Sequence, residues 1–459
     1  MDAIFSQKDA PLYEALNQYK ANRIVPFDVP GHKQGKGNKE LADFLGEKCL
    51  SVDVNAMKPL DNIARPISVI KYAQQLAAQA FGAKDAFFSV NGTTAAVQAM
   101  ILYACKKGQK IIMPRNVHIS AINALVLSGA VPVYVNPGVD KKLGISLGMP
   151  IDEVKKAIAS NPEAKAVFIN NPTYYGICSD IKEIIKIAHN HNMLVLVDEA
   201  HGTHFYFGEN LPPSAMTWGA DMSSVSMHKT GGSLTQSSIL LIGDTISKGY
   251  MRQIISLSQT TSASYLLLSS LDISRRNLAL SGREIFSKIA NIANYARDEI
   301  NKIGGYYAYS KELINKSAVF DFDITKLSVY TRDIGLAGIE VYDLLRDEYG
   351  IQIEFGDIGN ILAIISVGDS ELEIERLISD LYELKRRYQK DKAGMFKHEY
   401  IPLIVELTPQ KAFYANKKPM DITKSDGYIC GEFVMSYPPG IPILAPGERI
   451  TREIIEYIL

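Results

Sequence analysis

Lys229 lies in Ser226-Met-His-Lys-Thr-Gly-Gly-Ser-Leu-Thr-Gln236, between a histidine and a glycine turn. The preceding Asp221-Met-Ser-Ser-Val-Ser226 is short and β-prone, so the lysine is predicted at a strand end, where it can be held pointing into a cleft. Desolvation or a second cation lowers a lysine's pKa and makes its amine a nucleophile toward aldehydes. Most lysines are solvated surface charges. The question is therefore whether the chain supplies the rest of an aldehyde-cofactor site.

Three further stretches bear on that question. Asn91-Gly-Thr-Thr94 stands between a predicted strand and a predicted helix, where free backbone N–H groups and two hydroxyls can hold a phosphate. Taken alone, such a turn is more often a simple helix cap. Arg115-Asn-Val-His118 ends another strand; its histidine could stack on an aromatic ring, although a capping histidine is the commoner case. Met193-Leu-Val-Leu-Val-Asp-Glu-Ala-His-Gly202 is a nearly uncharged β run that brings Asp198 to the sheet edge. A carboxylate there can pair with the protonated ring nitrogen of pyridoxal phosphate. A metal centre is the rival, since Glu199, His201 and His204 are close in sequence, but H-x-x-H is not the helical H-E-x-x-H pattern. No metal is expected. Ser226 and His228 flank Lys229 and can both reach a phosphate. The chain thus offers, in order, a phosphate cradle, a stacking histidine, an anionic partner for a ring nitrogen and a Schiff-base lysine. Pyridoxal 5'-phosphate is the cofactor that needs all four. No G-x-G-x-x-G follows a strand and no Walker-type loop occurs, so dinucleotide and P-loop readings lack support.

The elements that must position these groups alternate. Helical spacing runs from Ile67 to Phe81, then a strand from Ala86 to Val90 and a helix from Ala95 to Cys105. Strands follow at Lys110 to Met113, Val131 to Val135, Ala166 to Ile169, Met193 to Val197 and Ser223 to Met227. Helices fall between, as at Ser120 to Leu127 and Asp180 to His189. This pattern predicts an α/β fold with a mainly parallel sheet, whose ligands sit at the carboxyl ends of strands. Ser281 to Ile303 reads as a long amphipathic connector to a smaller α+β region. That region has strands near Ala318 to Phe322 and Ile361 to Ser366, and helices near Gly338 to Glu348 and Ser370 to Lys385. The expected divisions are 1–65 (a short helix, Pro11 to Tyr19, and an arm), 66–305 (the large domain), 306–390 (the small domain) and 391–459. Lys385 to Lys397 reads as an exposed helix end or linker. Phe27 to Gly37 is too rich in Pro and Gly for a helix: it is either an exposed basic loop or an arm closing over a site. Tyr437 to Glu448 holds four prolines and two glycines, a rigid connector that could also place Glu448 accurately.

Composition narrows the class. With 459 residues and 47% hydrophobic content the chain can bury a large core. A formal net charge of −1 argues against nucleic acid or an anionic membrane as the main partner. The four cysteines form no CxxC pair, and the first residues lack a secretory apolar stretch, so a cytoplasmic protein is expected. No uncharged apolar run approaches a membrane span.

The motifs resemble those of the Orn/Lys/Arg decarboxylase family in its shorter Gram-positive-type form, over almost the whole chain. Phe27 to Gly37 is similar to that family's V-P-G-H-K-x-G, Phe88 to Thr94 to its phosphate turn, and Pro114 to His118 to its R-N-x-H. Asp198 to Gly202 resembles D-E-A-H-G, Ser226 to Gln236 resembles S-x-H-K-T-x-x-x-L-T-Q, and Tyr437 to Glu448 resembles Y-P-P-G-I-P-x-x-x-P-G-E. Ser258 to Tyr265 resembles a segment contributed across a dimer interface.

The resemblance implies an aspartate-aminotransferase-like, fold type I enzyme. In it Lys229 forms the Schiff base, Asp198 pairs with the pyridine nitrogen and His118 stacks on the ring. Ala200 lies against the opposite face and His201 near the ring hydroxyl, while Gly92, Thr93, Thr94, Ser226 and His228 hold the phosphate. Glu448 would meet the cationic end of the substrate. Thr260, Thr261 and Ser262 would line a neighbouring subunit's site in a homodimer or larger homo-oligomer. The implied reaction removes the α-carboxylate of a basic amino acid as carbon dioxide, with Lys229 or His228 returning a proton to the α-carbon. Arginine is the first choice, with lysine and ornithine open. Two departures bear on the substrate: Ile63-Ala-Arg-Pro-Ile-Ser68 stands where the family commonly reads L-H-x-P-x-G, and Ile119 where a lysine commonly follows R-N-x-H. The rivals are another fold type I chemistry, such as an aminotransferase or aldolase, and a catalytically silent regulator.

Overall fold

The structure is a computed structural model describing residues 6–394, 401, 403–435 and 440–459. Its contacts divide the chain into two compact units that interleave along the sequence. The first comprises residues 1–99, 199–209 and 213–286; the second comprises 100–198, 210–212 and 287–459.

In the first unit, strand Ser238–Ile242 pairs antiparallel with Asp85–Ser89 on one side and Met222–Val225 on the other. Its side chains are buried throughout. Helix Val69–Ala80 buries Ile70, Ala73, Leu76 and Ala77, the i, i+3, i+6, i+7 stripe of an amphipathic helix. Just before it, the Asp61 carboxylate accepts from the backbone N–H groups of Ile67, Ser68 and Ile70 and organises the divergent Ile63–Ser68 stretch. The Phe27–Gly37 stretch is a run of turns. Its His32 lies 3.1 Å from Asp53, while the Phe27 side chain is 95% exposed. Helix Pro11–Ala21 is capped from a distance: Leu12 N–H donates to Asp272, which is in turn paired with Arg275.

The second unit holds four parallel strands in the order Leu194–Glu199, Ala166–Asn170, Lys110–Pro114, Val131–Val135. Asn170 lies opposite Asp198, so the two strands end level. Continuous apolar runs suit strands buried on both faces. Helix Ile181–Asn190 shows the matching helical signature, with Asp180 as N-cap and a stripe of Ile181, Ile184, Ile185 and Ala188 facing the core. A separate four-stranded antiparallel sheet is built on Lys326–Tyr330 and Asn360–Ile364, with helices Gly338–Asp347 and Glu371–Tyr388. Toward the C-terminus, Cys430, Leu444, Ile450, Ile454 and Ile455 form an apolar cluster of their own. The Leu194–Glu199 sheet of the second unit is parallel, and the fold class is α/β.

Several boundaries differ from the sequence expectation. The long helix begins at Tyr265 rather than Ser281. The strand expected at Ser223 to Met227 stops at Val225. The strand expected from Ala318 shrinks to Asp321–Phe322. The strands Ser238–Ile242 and Lys326–Tyr330 were not foreseen. Tyr437, Pro438 and Pro439 of the Pro-rich loop, and 395–397 of the charged linker, lie outside the described residues. Among the described residues no helix is long and apolar enough to cross a membrane.

Candidate active site

Lys229 sits on a single helical turn, Met227–Thr230, rather than on the strand itself. Ser226 closes the strand-to-helix corner, and Lys229 N–H donates to the Ser226 carbonyl at 3.1 Å. The lysine Nζ lies 2.9 Å from His201 Nε2, within hydrogen-bond reach of an imidazole. The Thr203 hydroxyl donates to the Ser226 carbonyl and ties the His201 stretch to the same corner.

Beside the lysine, hydroxyls converge. Thr93 Oγ1 is 2.5 Å from Ser226 Oγ and 2.9 Å from Ser238 Oγ, all three buried. Thr93 is in the first turn of helix Gly92–Ala104, whose leading N–H groups have no intrahelical acceptor. Gly92 has φ +73°, a conformation that side-chain-bearing residues rarely adopt, and it opens that helix without a Cβ in the way. Thr94 is exposed. His228 places its Nδ1 3.0 Å from the Ser237 carbonyl. Burial holds its pKa below the ordinary value; the Ser237 carbonyl opposes that shift and the Lys229 charge adds to it.

Glu199 is committed elsewhere. Its carboxylate accepts from Ala215 N–H, the Tyr206 hydroxyl and the Ser223 hydroxyl. His204 is fully buried and sits 3.2 Å from Thr230 Oγ1. Among the described residues no three His, Cys, Asp or Glu side chains gather as a metal-holding group. Thr260, Thr261 and Ser262 are exposed.

In the second unit, Asp198 closes its strand with 5% exposure, and its carbonyl accepts from Asn171 N–H. His118 is the N-cap of helix Ile119–Ser128: its Nδ1 accepts from Ser120 N–H and lies 2.9 Å from Ser120 Oγ. That contact fixes the imidazole orientation. Glu448 is buried against Arg115, the first residue of the R-N-x-H motif. Ala200 and His201 come two and three residues after Asp198 but pack with the first unit.

The sequence reading missed Ser238 and the pairing of Arg115 with Glu448. It also missed two tyrosines after strand Ala166–Asn170. Tyr174 donates to Glu354, and Tyr175 donates to Asp357 at 2.5 Å. Their Asn-Pro-Thr-Tyr-Tyr-Gly stretch follows a strand end, which was the available signal.

The donor set fits pyridoxal phosphate on its own terms. A Thr93 hydroxyl bonded to those of Ser226 and Ser238 at a helix N-terminus suits a phosphate, and a lysine amine next to an imidazole suits an aldehyde. The fold is that of the type I α/β enzymes. The chain belongs to the Orn/Lys/Arg decarboxylase family: the model of that family's major domain matches residues 10–373, and that of its C-terminal domain matches 392–459. It is 44% identical to the arginine decarboxylase of Bacillus subtilis (strain 168), over 99% of this chain and 94% of that one. The arginine decarboxylase of Bacillus anthracis is 42% identical over 99% and 93% of the two chains. Among solved structures, the lysine decarboxylase of Francisella novicida superposes with a TM-score of 0.86, covering 98% of this chain and 76% of that one at 20% identity.

Proposed function

We propose that this protein is a pyridoxal-phosphate-dependent decarboxylase of basic L-amino acids, with arginine as its substrate and agmatine and carbon dioxide as its products. The observation that carries this is the corner at Ser226 to Lys229. One helical turn there presents both a hydroxyl of the phosphate cradle and an amine in contact with His201. The substrate choice is supported by full-length relatives named arginine decarboxylase.

Pyridoxal phosphate, when bound, supplies an aldehyde for the substrate amine and a pyridinium that accepts electrons from the α-carbon. The chain's own residues do the rest. Thr93, Ser226, Ser238 and the N–H groups opening at Gly92 hold the phosphate. Lys229 Nζ would hold the aldehyde carbon, and His201 Nε2, 2.9 Å away, could take a proton from that amine. Asp198 would keep the ring nitrogen protonated, and His118 would cover the ring. Once the carboxylate had left as carbon dioxide, Lys229 Nζ or His228 would be the group to return a proton to the α-carbon. His228 Nδ1 donates to the Ser237 carbonyl, so Nε2 would first have to take up a proton in order to return one.

The protein acts as a homodimer or larger assembly in which Thr260 to Ser262 line a neighbour's site. Their exposure, and that of nearby Leu257 at 77%, supports this. Four free cysteines support a reducing, cytoplasmic setting, and an amine product would place the enzyme in amine biosynthesis.

The deciding measurement is product analysis. Protein with added cofactor is incubated separately with L-arginine, L-lysine, L-ornithine and a mixed amino-acid pool, and carbon dioxide and product masses are recorded. Agmatine as the main product is expected, and Lys229→Ala abolishes it. Carbon dioxide from none of these, with cofactor bound, would overturn the reading.

A further inference from the structure

The carboxylate of Glu448 is already fully engaged. Arg115 Nε donates to Oε1 at 2.8 Å and Arg115 Nη2 donates to Oε2 at 2.9 Å. Ala445 N–H donates to Oε2 at 2.7 Å. The two side chains are 6% and 1% exposed. A bidentate guanidinium is the best geometric match a carboxylate has, so a substrate cation would have to displace it.

Arg115 holds more than the acid. Its Nη1 donates to the Pro442 carbonyl at 2.8 Å, and its guanidinium lies 5.7 Å from the centre of the Tyr134 ring. Four residues further on, Ile119 N–H donates to the Gly440 carbonyl at 3.0 Å. His118 stands between these two attachments, on a backbone fastened on both sides to residues 440–448. Its own ring is set by Ser120. Ile119 is also where the family's usual lysine is replaced, so the strap meets the chain at a divergent position through a backbone bond that is independent of side chain.

We infer that Glu448 and Arg115 are positioning residues for His118, and that the 440–448 segment is a clasp holding the imidazole where it covers the cofactor ring. Glu448 is then not the receptor for the cationic end of the substrate. This rests on the reading of His118 given above.

The test uses Glu448→Gln, Arg115→Lys and His118→Ala in the full-length protein. Three quantities are measured: amide hydrogen exchange over residues 115–121 in the apo-protein, the dissociation constant for pyridoxal phosphate, and kcat and KM for whichever amino acid is turned over. For Glu448→Gln the expectation is exchange at least about tenfold faster and cofactor binding about tenfold weaker, with KM moved by less than about threefold. Arg115→Lys keeps the charge but loses the fork, and it shifts the same quantities by less. It carries the test should Glu448→Gln fail to fold. Combined with His118→Ala, Glu448→Gln adds less than its own effect on cofactor affinity, because both act through one imidazole. Unchanged exchange and cofactor affinity would overturn the inference, and a KM raised tenfold or more beside them would make Glu448 the substrate receptor. If no amino acid is turned over, the proposed function fails, while the first two measurements still decide this inference.

Discussion

The 2.9 Å contact between Lys229 Nζ and His201 Nε2 sets an imidazole beside the amine, a group able to exchange a proton with it. In the proposed enzyme Asp198 faces the ring nitrogen, where a buried anion favours that nitrogen's proton. Asp198→Ala is therefore expected to fold and bind cofactor yet lose at least about a hundredfold in kcat, as electrostatic groups at reacting centres do. Near-normal turnover would mean that another group protonates the ring. His228 makes a separate prediction. Its folded pKa lies below the ordinary 6.5, chiefly because burial disfavours the charged ring. Between the unfolded and folded values the unfolded chain binds more protons, so stability falls as pH drops below that ordinary value. The apo-protein should lose more of its urea midpoint between about pH 7.5 and about pH 5 than His228→Gln does. Equal losses would mean that the imidazole titrates as if exposed. The motif residues were legible because each motif is a short run whose residue types state their chemistry. Ser238 was not, since it reaches Thr93 from 145 positions away, and Glu448 meets Arg115 across 333.

Elements were legible where burial follows apolar spacing, and hidden where polar groups are buried. The long helix was expected only from Ser281 because Ser269, Asp272, Ser274 and Arg275 interrupt its apolar stripe, yet all four are buried. Strand Lys326–Tyr330 was hidden in the same way by Lys326 and Ser328, both fully buried. Strand Ser238–Ile242 was missed for another reason: it runs antiparallel, which an alternating strand–helix pattern does not anticipate. The buried Asp272–Arg275 pair explains its own cost. Arg275 also donates to the carbonyls of Gln7 and Asp9, so the pair fastens the start of helix Pro11–Ala21. Asp272→Ala leaves a guanidinium without its acid and strips Leu12 N–H of its acceptor. It is expected to cost about 3–5 kcal/mol and to expose residues 6–22 to proteases. Denaturation midpoints and the cleavage pattern check this; a loss under about 1 kcal/mol would mean that the carbonyls alone hold Arg275.

At the scale of the molecule, the exposed Thr260–Ser262 segment predicts shared sites. If Lys229 of one subunit works with this segment from its neighbour, two dead variants can rescue each other. A bulky substitution at Ser262 mixed and reassembled with Lys229→Ala should recover about a quarter of wild-type activity, since half of randomly paired dimers carry one intact site. No recovery after verified subunit exchange would place the whole site within one chain. Glu448 carries a consequence for how the enzyme is made. Synthesis runs from the N-terminus and domains fold as they emerge. The Arg115 loop is translated early, but its acid partner lies 333 residues downstream. A chain still on the ribosome can thus have its sheet folded while its His118 loop is not yet clasped. Competence to hold cofactor firmly would then arrive late, with the segment that carries Glu448, and prematurely terminated chains would be inert even where every motif residue before it is present.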